Sequence, residues 1–160
     1  MTTLTRTHAV WDSPLGPVVA TADDGAVVRL GVRVEPRPDD GERDDAALPA
    51  LREQLEAYWC HQLTDVDVPL QPAGTPFQQR VWAALRTIPY GTTWSYRELA
   101  EQIGAPTAVR AVGAANGRNP VWLVIPCHRV IGSNGALTGY AGGLDVKRWL
   151  LDHERAGLWR

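Results

Sequence analysis

Short apolar runs separated by turn residues open the chain: Ala9-Val10-Trp11, Val18-Val19-Ala20 and Val27-Val28-Arg29-Leu30, divided by Ser13-Pro14, Gly16-Pro17 and Asp24-Gly25. Runs of this length predict strands, and Asp24-Gly25 predicts a hairpin between the last two. Residues 35–47, rich in Pro and Asp, predict an exposed loop. Leu48, Leu51, Leu55, Tyr58 and Trp59 then recur at helical spacing, so an amphipathic helix is expected over 48–62. Val66, Val68 and Leu70 alternate with Asp65, Asp67 and Pro69, which predicts a short final strand. Gln71-Pro72-Ala73-Gly74 reads as a linker, giving a first domain over 1–74 and a second over 75–160.

The second half is patterned for helices. Thr75, Pro76 and Gln78 form an N-cap, a first-turn proline and a capping-box partner, followed by an apolar face of Phe77, Val81, Ala84 and Leu85. Ser95 with Glu98 starts a second helix that Gly104 ends, and Pro106 is expected to start a third running to Ala115. Two short helices joined by a Gly-containing turn predict a helix-turn-helix. Its second member is nearly bare: Ala108, Ala111, Gly113, Ala114, Ala115 and Gly117 leave Arg110 as the one long side chain. Such a surface can press into a narrow groove, or simply pack against another helix. Val121 to Ile125 predicts a buried strand, Val130 to Leu137 a wing-like hairpin turned at Asn134-Gly135, and 139–143 a glycine-rich loop. A last helix places Val146, Trp149, Leu150 and His153 on one stripe with Glu154 beside it.

Charge sharpens this division. The 160-residue chain is only slightly acidic, at −2. Residues 1–74 nevertheless carry 6 Arg against 13 Asp or Glu, while 75–160 carry 9 Arg and 1 Lys against 5 acids. That asymmetry suggests a second half that meets a polyanion, or a first half solvated by acidic loops. No run of about 18 apolar residues is present, so no membrane span is expected. Met1 to His8 lacks the apolar core of an export signal, and two cysteines make no disulfide framework, so a cytoplasmic protein is expected.

The candidate chemistry lies in Val124-Ile125-Pro126-Cys127-His128-Arg129-Val130, where a thiol and an imidazole adjoin. A thiol reacts as its thiolate, which a neighbouring base or cation can supply. Glu154 could orient His128, giving nucleophile, base and orienter; the alternative is a buried cysteine beside ordinary surface charges. Cys60-His61 lacks such partners.

Pro126-Cys127-His128-Arg129-Val130 resembles the active-site motif of the O6-alkylguanine-DNA alkyltransferases. The likeness extends through Ser95-Tyr96, Arg110-Ala111-Val112-Gly113, Asn119-Pro120, Tyr140-Ala141-Gly142-Gly143-Leu144 and Lys147 to His153-Glu154, in order and spacing. It is strong over 75–155 and loose before that. It implies an RNase H-like α/β domain followed by a mainly α winged helix-turn-helix domain that binds double-stranded DNA in the minor groove and flips the alkylated guanine. The implied activity is single-turnover transfer of a methyl or larger alkyl group from guanine O6, and from thymine O4, to Cys127.

By that resemblance His128 deprotonates Cys127 through a water, Glu154 holds His128, and Asn119 ties the recognition helix to the active-site turn. Arg110 fills the gap left by the flipped base, and Tyr96 donates to guanine N3. Backbone groups of Cys127 and Val130 contact the base, the Ala141 amide meets its oxygen, and Arg129, Tyr140 and Gly142 complete the substrate and DNA contacts. Gly142 leaves room for bulky alkyl groups. No cofactor is implied, and the zinc site of animal members is not evident. The protein is expected to act as a monomer, with cooperative binding along DNA left open. Ala141 stands where some members have Ser, which leaves only a backbone contact there. A cysteine hydrolase could use the same three groups but would turn over. A non-catalytic DNA-binding module would keep the helix pair and tolerate loss of Cys127.

Overall fold

Turn chemistry sets the strand ends in the computed structural model, which describes residues 6–158. Strands β1 (Arg6–Ser13), β2 (Gly16–Asp23) and β3 (Ala26–Val32) pair antiparallel, with Gly25 at φ +84° making the second turn. Asp24 also takes the left-handed conformation at φ 51°, as a primed hairpin turn requires. The apolar faces of these strands, including Ala9, Val18, Ala20, Val27 and Leu30, are buried. The N-terminal export-signal reading rests partly on residues 1–5, which lie outside the described residues.

The segment 35–47 is more ordered than its composition suggests. A 3-10 turn (Pro38–Asp40) leads into β4 (Glu42–Arg43), which pairs parallel with β1 and gives a mixed sheet of order β3-β2-β1-β4. Asp40 is buried and accepts hydrogen bonds from Thr21 Oγ1 at 2.9 Å, from the Arg37 amide at 2.6 Å, and from Arg29. Helix α1 (Pro49–Trp59) follows and buries Leu51, Leu55 and Tyr58. The strand expected at 66–70 does not form; Leu70 makes only an isolated bridge to Val27. Pro69 cannot donate to a ladder, which removes the next bond.

Two units divide the described chain. One holds the sheet and α1, up to Ala73, together with Pro120–Trp122; the other holds Gly74–Asn119 and Leu123 onward. In the second unit the capping residues act as their types predict. Thr75 and Gln78 cap α2 (Pro76–Leu85) reciprocally, and Ser95 and Glu98 do the same for α3 (Tyr96–Gln102), which follows β5 (Trp94–Ser95). Gly104 at φ +75° leads the chain away from α3. Helix α4 (Val109–Gly117) starts three residues later than expected, because Pro106 sits in a turn closed by Ala108 N donating to Ala105 O at 2.9 Å. Trp82 Nε1 donates to the Ala115 carbonyl at 2.8 Å, a buried bond that fastens α4 to α2.

The strand expected over Val121–Ile125 is also absent. Leu123 takes φ 73°, which breaks extended geometry although the run remains mostly buried. A 3-10 turn (Cys127–Arg129) and β6 (Val130–Ile131) follow, and β6 pairs parallel with β5. The wing-like segment is a tight turn rather than a hairpin, with Gly132 N donating to Ala136 O at 2.8 Å and no return strand. Helix α5 (Leu144–Gly157) buries Val146, Lys147, Leu150 and Glu154. Trp149 and His153 stack on each other at 4.7 Å beside that stripe. Among the described residues no helix is long and apolar enough to cross a membrane.

Candidate active site

Two local features deliver Cys127 to its position. Leu123 turns the backbone, and the 3-10 turn after Pro126 buries Cys127, His128 and Arg129 in succession. The α5 stripe then brings Glu154 to the same place from 26 residues along the chain. His128 Nε2 and Glu154 Oε2 are 2.8 Å apart, with both side chains essentially inaccessible. The other ring nitrogen, Nδ1, is buried with no hydrogen-bond partner among the described residues. Glu154 therefore fixes one nitrogen of the ring and leaves the other available for proton transfer.

Arg129 sits elsewhere than in its expected role as a substrate or DNA contact. It is buried, its Nε and Nη2 donate to Glu154 Oε1 and Oε2 at 2.8 and 3.0 Å, and Nη1 donates to the Ile88 carbonyl at 2.8 Å. Its guanidinium also lies over the Tyr90 ring, 5.6 Å from the centroid. A fork held this way positions the carboxylate and has no face left for DNA. For the Glu154 carboxyl, burial acts upward, but His128 and Arg129 outweigh it and hold the group well below the usual carboxylate range.

Around the thiol the balance runs the other way. Burial pushes Cys127 up to about 11, against smaller downward pulls from the Asn119 side chain, the Lys147 ammonium and the Tyr140 hydroxyl. Asn119, itself buried, donates from Nδ2 to the Ile125 carbonyl at 2.7 Å and so spans the turn from the end of α4. The Tyr140 hydroxyl is pushed well above its ordinary range by burial first and then by Cys127 and Glu154. At rest the thiol is thus buried and protonated, and reaction through it requires a base at hand.

Lys147 stands in the motif that carries the resemblance, yet the sequence reading gives it no role. It is the chain's single lysine and is fully buried, with Nζ donating to the Thr138 carbonyl at 2.8 Å. Burial lowers its pKa while Cys127 raises it. A signal was available: Lys147, Leu150 and Glu154 fall at i, i+3 and i+7, on the stripe that carries the orienting carboxylate.

The remaining candidates line an open cavity of about 620 Å³, whose wall includes Tyr96, Arg110, Gly113, Thr138, Tyr140 and Ala141. Tyr96 is the first residue of α3, Arg110 stands exposed on α4, and the Tyr96 ring lies over Gly113, 3.8 Å from where a Cβ would be, an ordinary contact distance. Gly142 is half-buried in the following loop. The amides of Cys127 and Val130 are already engaged, donating to the Ile125 and Cys127 carbonyls. The structure thus joins Cys127, His128, Glu154, Asn119 and Tyr140 in one cluster, and Tyr96, Arg110, Tyr140 and Ala141 in one cavity wall.

Known proteins resemble this chain over most of its length. Residues 76–156 match the family model described as 6-O-methylguanine DNA methyltransferase, DNA binding domain. The methylated-DNA–protein-cysteine methyltransferase of Mycobacterium tuberculosis (strain H37Rv) is 49% identical over 148 residues, covering 91% of this chain and 90% of that one. That of Methanosarcina acetivorans is 46% identical over 151 residues, covering 92% and 97%. The crystal structure of Mycobacterium tuberculosis OGT in complex with DNA superposes with a TM-score of 0.90 at 47% identity, covering 94% of each chain.

Proposed function

The chain belongs to the 6-O-methylguanine DNA methyltransferase family, and from that premise we propose how its residues carry out the reaction. The protein is a methylated-DNA–protein-cysteine methyltransferase that repairs alkylated DNA by direct reversal. Cys127 is the alkyl acceptor. The observation that carries this assignment is the buried His128–Glu154 pair at 2.8 Å, adjoining a buried thiol, with His128 Nδ1 unpaired.

In the proposed reaction His128 Nδ1 takes the Cys127 proton through a bridging water. The thiolate attacks the carbon bonded to guanine O6, an S–C bond forms, and the C–O bond breaks with its electron pair leaving on the base. The base recovers a proton and becomes plain guanine. Tyr96 donates to guanine N3 and stabilises the departing anion as charge develops. Glu154 keeps His128 in one orientation, while Arg129 acts as a positioning residue on Glu154. The thioether product has no group that water displaces, so one molecule repairs one lesion.

Binding follows the same reading. The α3–α4 pair is taken as the helix-turn-helix of a winged domain over 75–160, and the sheet-bearing part over 1–74 as an RNase H-like domain. Small residues on α4 suit the minor groove, Arg110 enters the stack when the damaged base is flipped, and the Ala141 amide meets the base oxygen. The Tyr96 and Tyr140 side of the cavity receives the flipped base, Gly142 gives bulky alkyl groups space, and thymine O4 adducts are a second substrate. The protein acts as a monomer in the cytoplasm.

Intact and peptide mass after mixing with a duplex bearing one O6-methylguanine tests this reading. One added CH₂ on the Cys127 peptide, in stoichiometric yield with guanine restored, is the expected result. Repeated turnover would favour a cysteine hydrolase, and binding without mass gain would favour a silent lesion-binding module.

A further inference from the structure

Thr138 makes two hydrogen bonds in opposite directions. Its carbonyl accepts from the buried Lys147 Nζ at 2.8 Å, and its hydroxyl donates to the Tyr96 phenolic oxygen at 3.1 Å. The first bond spans nine residues and closes the loop that carries Tyr140, Ala141 and Gly142 onto the first turn of α5. A further bond, from Gly143 N to the Tyr140 carbonyl at 2.9 Å, tightens the same loop. The second bond reaches 42 residues back to the start of α3 and joins two parts of the cavity wall. We propose that Thr138 is a positioning residue for alkyl transfer: its hydroxyl, bonded to the Tyr96 oxygen, aims the Tyr96 O–H into the cavity, and its carbonyl holds Lys147 in place beneath the loop.

A phenol can donate only one proton. When Thr138 occupies a lone pair of the Tyr96 oxygen, the phenol keeps its own proton for another acceptor, and a donor that also accepts is polarised into a stronger donor. The acceptor is the leaving base, so this inference rests on Tyr96 acting as donor in the proposed reaction. Thr138 influences the step in which charge reaches the base more than the binding of the duplex.

The test measures single-turnover alkylation of Cys127 across duplex concentrations, separating the saturated rate from the dissociation constant, for Thr138→Val, Thr138→Ser, Tyr96→Phe and the double variant Thr138→Val with Tyr96→Phe. Thr138→Val should lower the saturated rate about threefold to tenfold, the scale of one hydroxyl bond, with little change in duplex affinity. Thr138→Ser should restore it, and in the Tyr96→Phe background Thr138→Val should cost nothing further. If Tyr96→Phe slows transfer while Thr138→Val does not, the proposal is overturned and the Tyr96 reading stands. If Tyr96→Phe is without effect, both fall together. An equal loss from Thr138→Val in both backgrounds, or a loss confined to duplex affinity, would assign Thr138 a merely structural place.

Discussion

In the sheet-bearing unit the buried acid is Asp40, held by Thr21, Arg29 and the Arg37 amide, and it fastens the 37–43 loop to the strands. In the helical unit, Glu154 is held by Arg129 and by His128, whose other ring nitrogen has no partner among the described residues, and His128 follows a buried thiol that feels the Lys147 charge. Both are carboxylates removed from water beside arginine. Only the second includes a buried nitrogen without a partner among the described residues, on the residue that follows Cys127 in the chain. Removing charge from water is costly, and a fully satisfied pair is repaid only in structure, whereas a partly satisfied one retains capacity for proton transfer. The difference separates a staple from a reactive site more cleanly than burial or charge does.

The largest effect should come from Cys127→Ser, which keeps the volume and removes the nucleophile. Alkyl transfer should vanish from the mass spectrum while duplex binding persists; an alkylated peptide elsewhere would move the reaction away from this cluster. Next, Glu154→Gln leaves Arg129 and His128 buried without their carboxylate, at a cost of about 3–5 kcal/mol in denaturant melts. It should also slow transfer by about a hundredfold or more, since the base loses its orienter. Asp40→Asn should also destabilise, yet the molecules that remain folded should transfer at the parent rate. Slowed transfer in the Asp40 variant would break the contrast between the units.

The same pair has an acid-side signature. The Glu154 carboxyl titrates below its usual 4.5 in the folded protein, so its contribution is fully present above that value. It is lost as pH falls toward the depressed folded value, and Glu154→Gln should flatten the acid limb of stability against pH. A smaller effect is expected at Arg110, where Ala should slow repair of duplex lesions by about tenfold, roughly 1.4 kcal/mol of barrier. Reaction with free O6-benzylguanine should be little changed, and equal losses would remove Arg110 from the stack. Lys147→Met sharpens the comparison further. The variant should slow transfer several-fold by withdrawing a cation from the thiolate, while its melting temperature stays level or rises because a buried charge is replaced by an apolar chain.

Legibility in the sequence was uneven for identifiable reasons. Helix starts at Thr75 and Ser95 were readable because capping is local, set by residues three apart. The third helix was placed too early because Pro106 suits both a first helical turn and the ordinary turn it occupies. The runs at 66–70 and 121–125 look like strands, but a strand also needs a partner ladder. Pro69 and the left-handed Leu123 deny them that. The motif around Cys127 names residues that the structure buries together, but not the fork that Arg129 makes on Glu154, because adjacency in a motif says nothing about which way a side chain faces.

The chain by itself determined the sheet-then-helix order, the helix caps, the charge asymmetry and the Cys-His pair with its family. These depend on residues close along the chain or on motifs held in order. The tertiary structure alone decided that Arg129 faces Glu154 rather than DNA, that Lys147 is buried near the thiol, and that Thr138 bridges Lys147 and Tyr96. Those contacts join residues 9 to 42 positions apart, and their energies depend on how far each group has been withdrawn from water. Sequence pattern names the groups, but only packing sets the dielectric and the geometry in which they act.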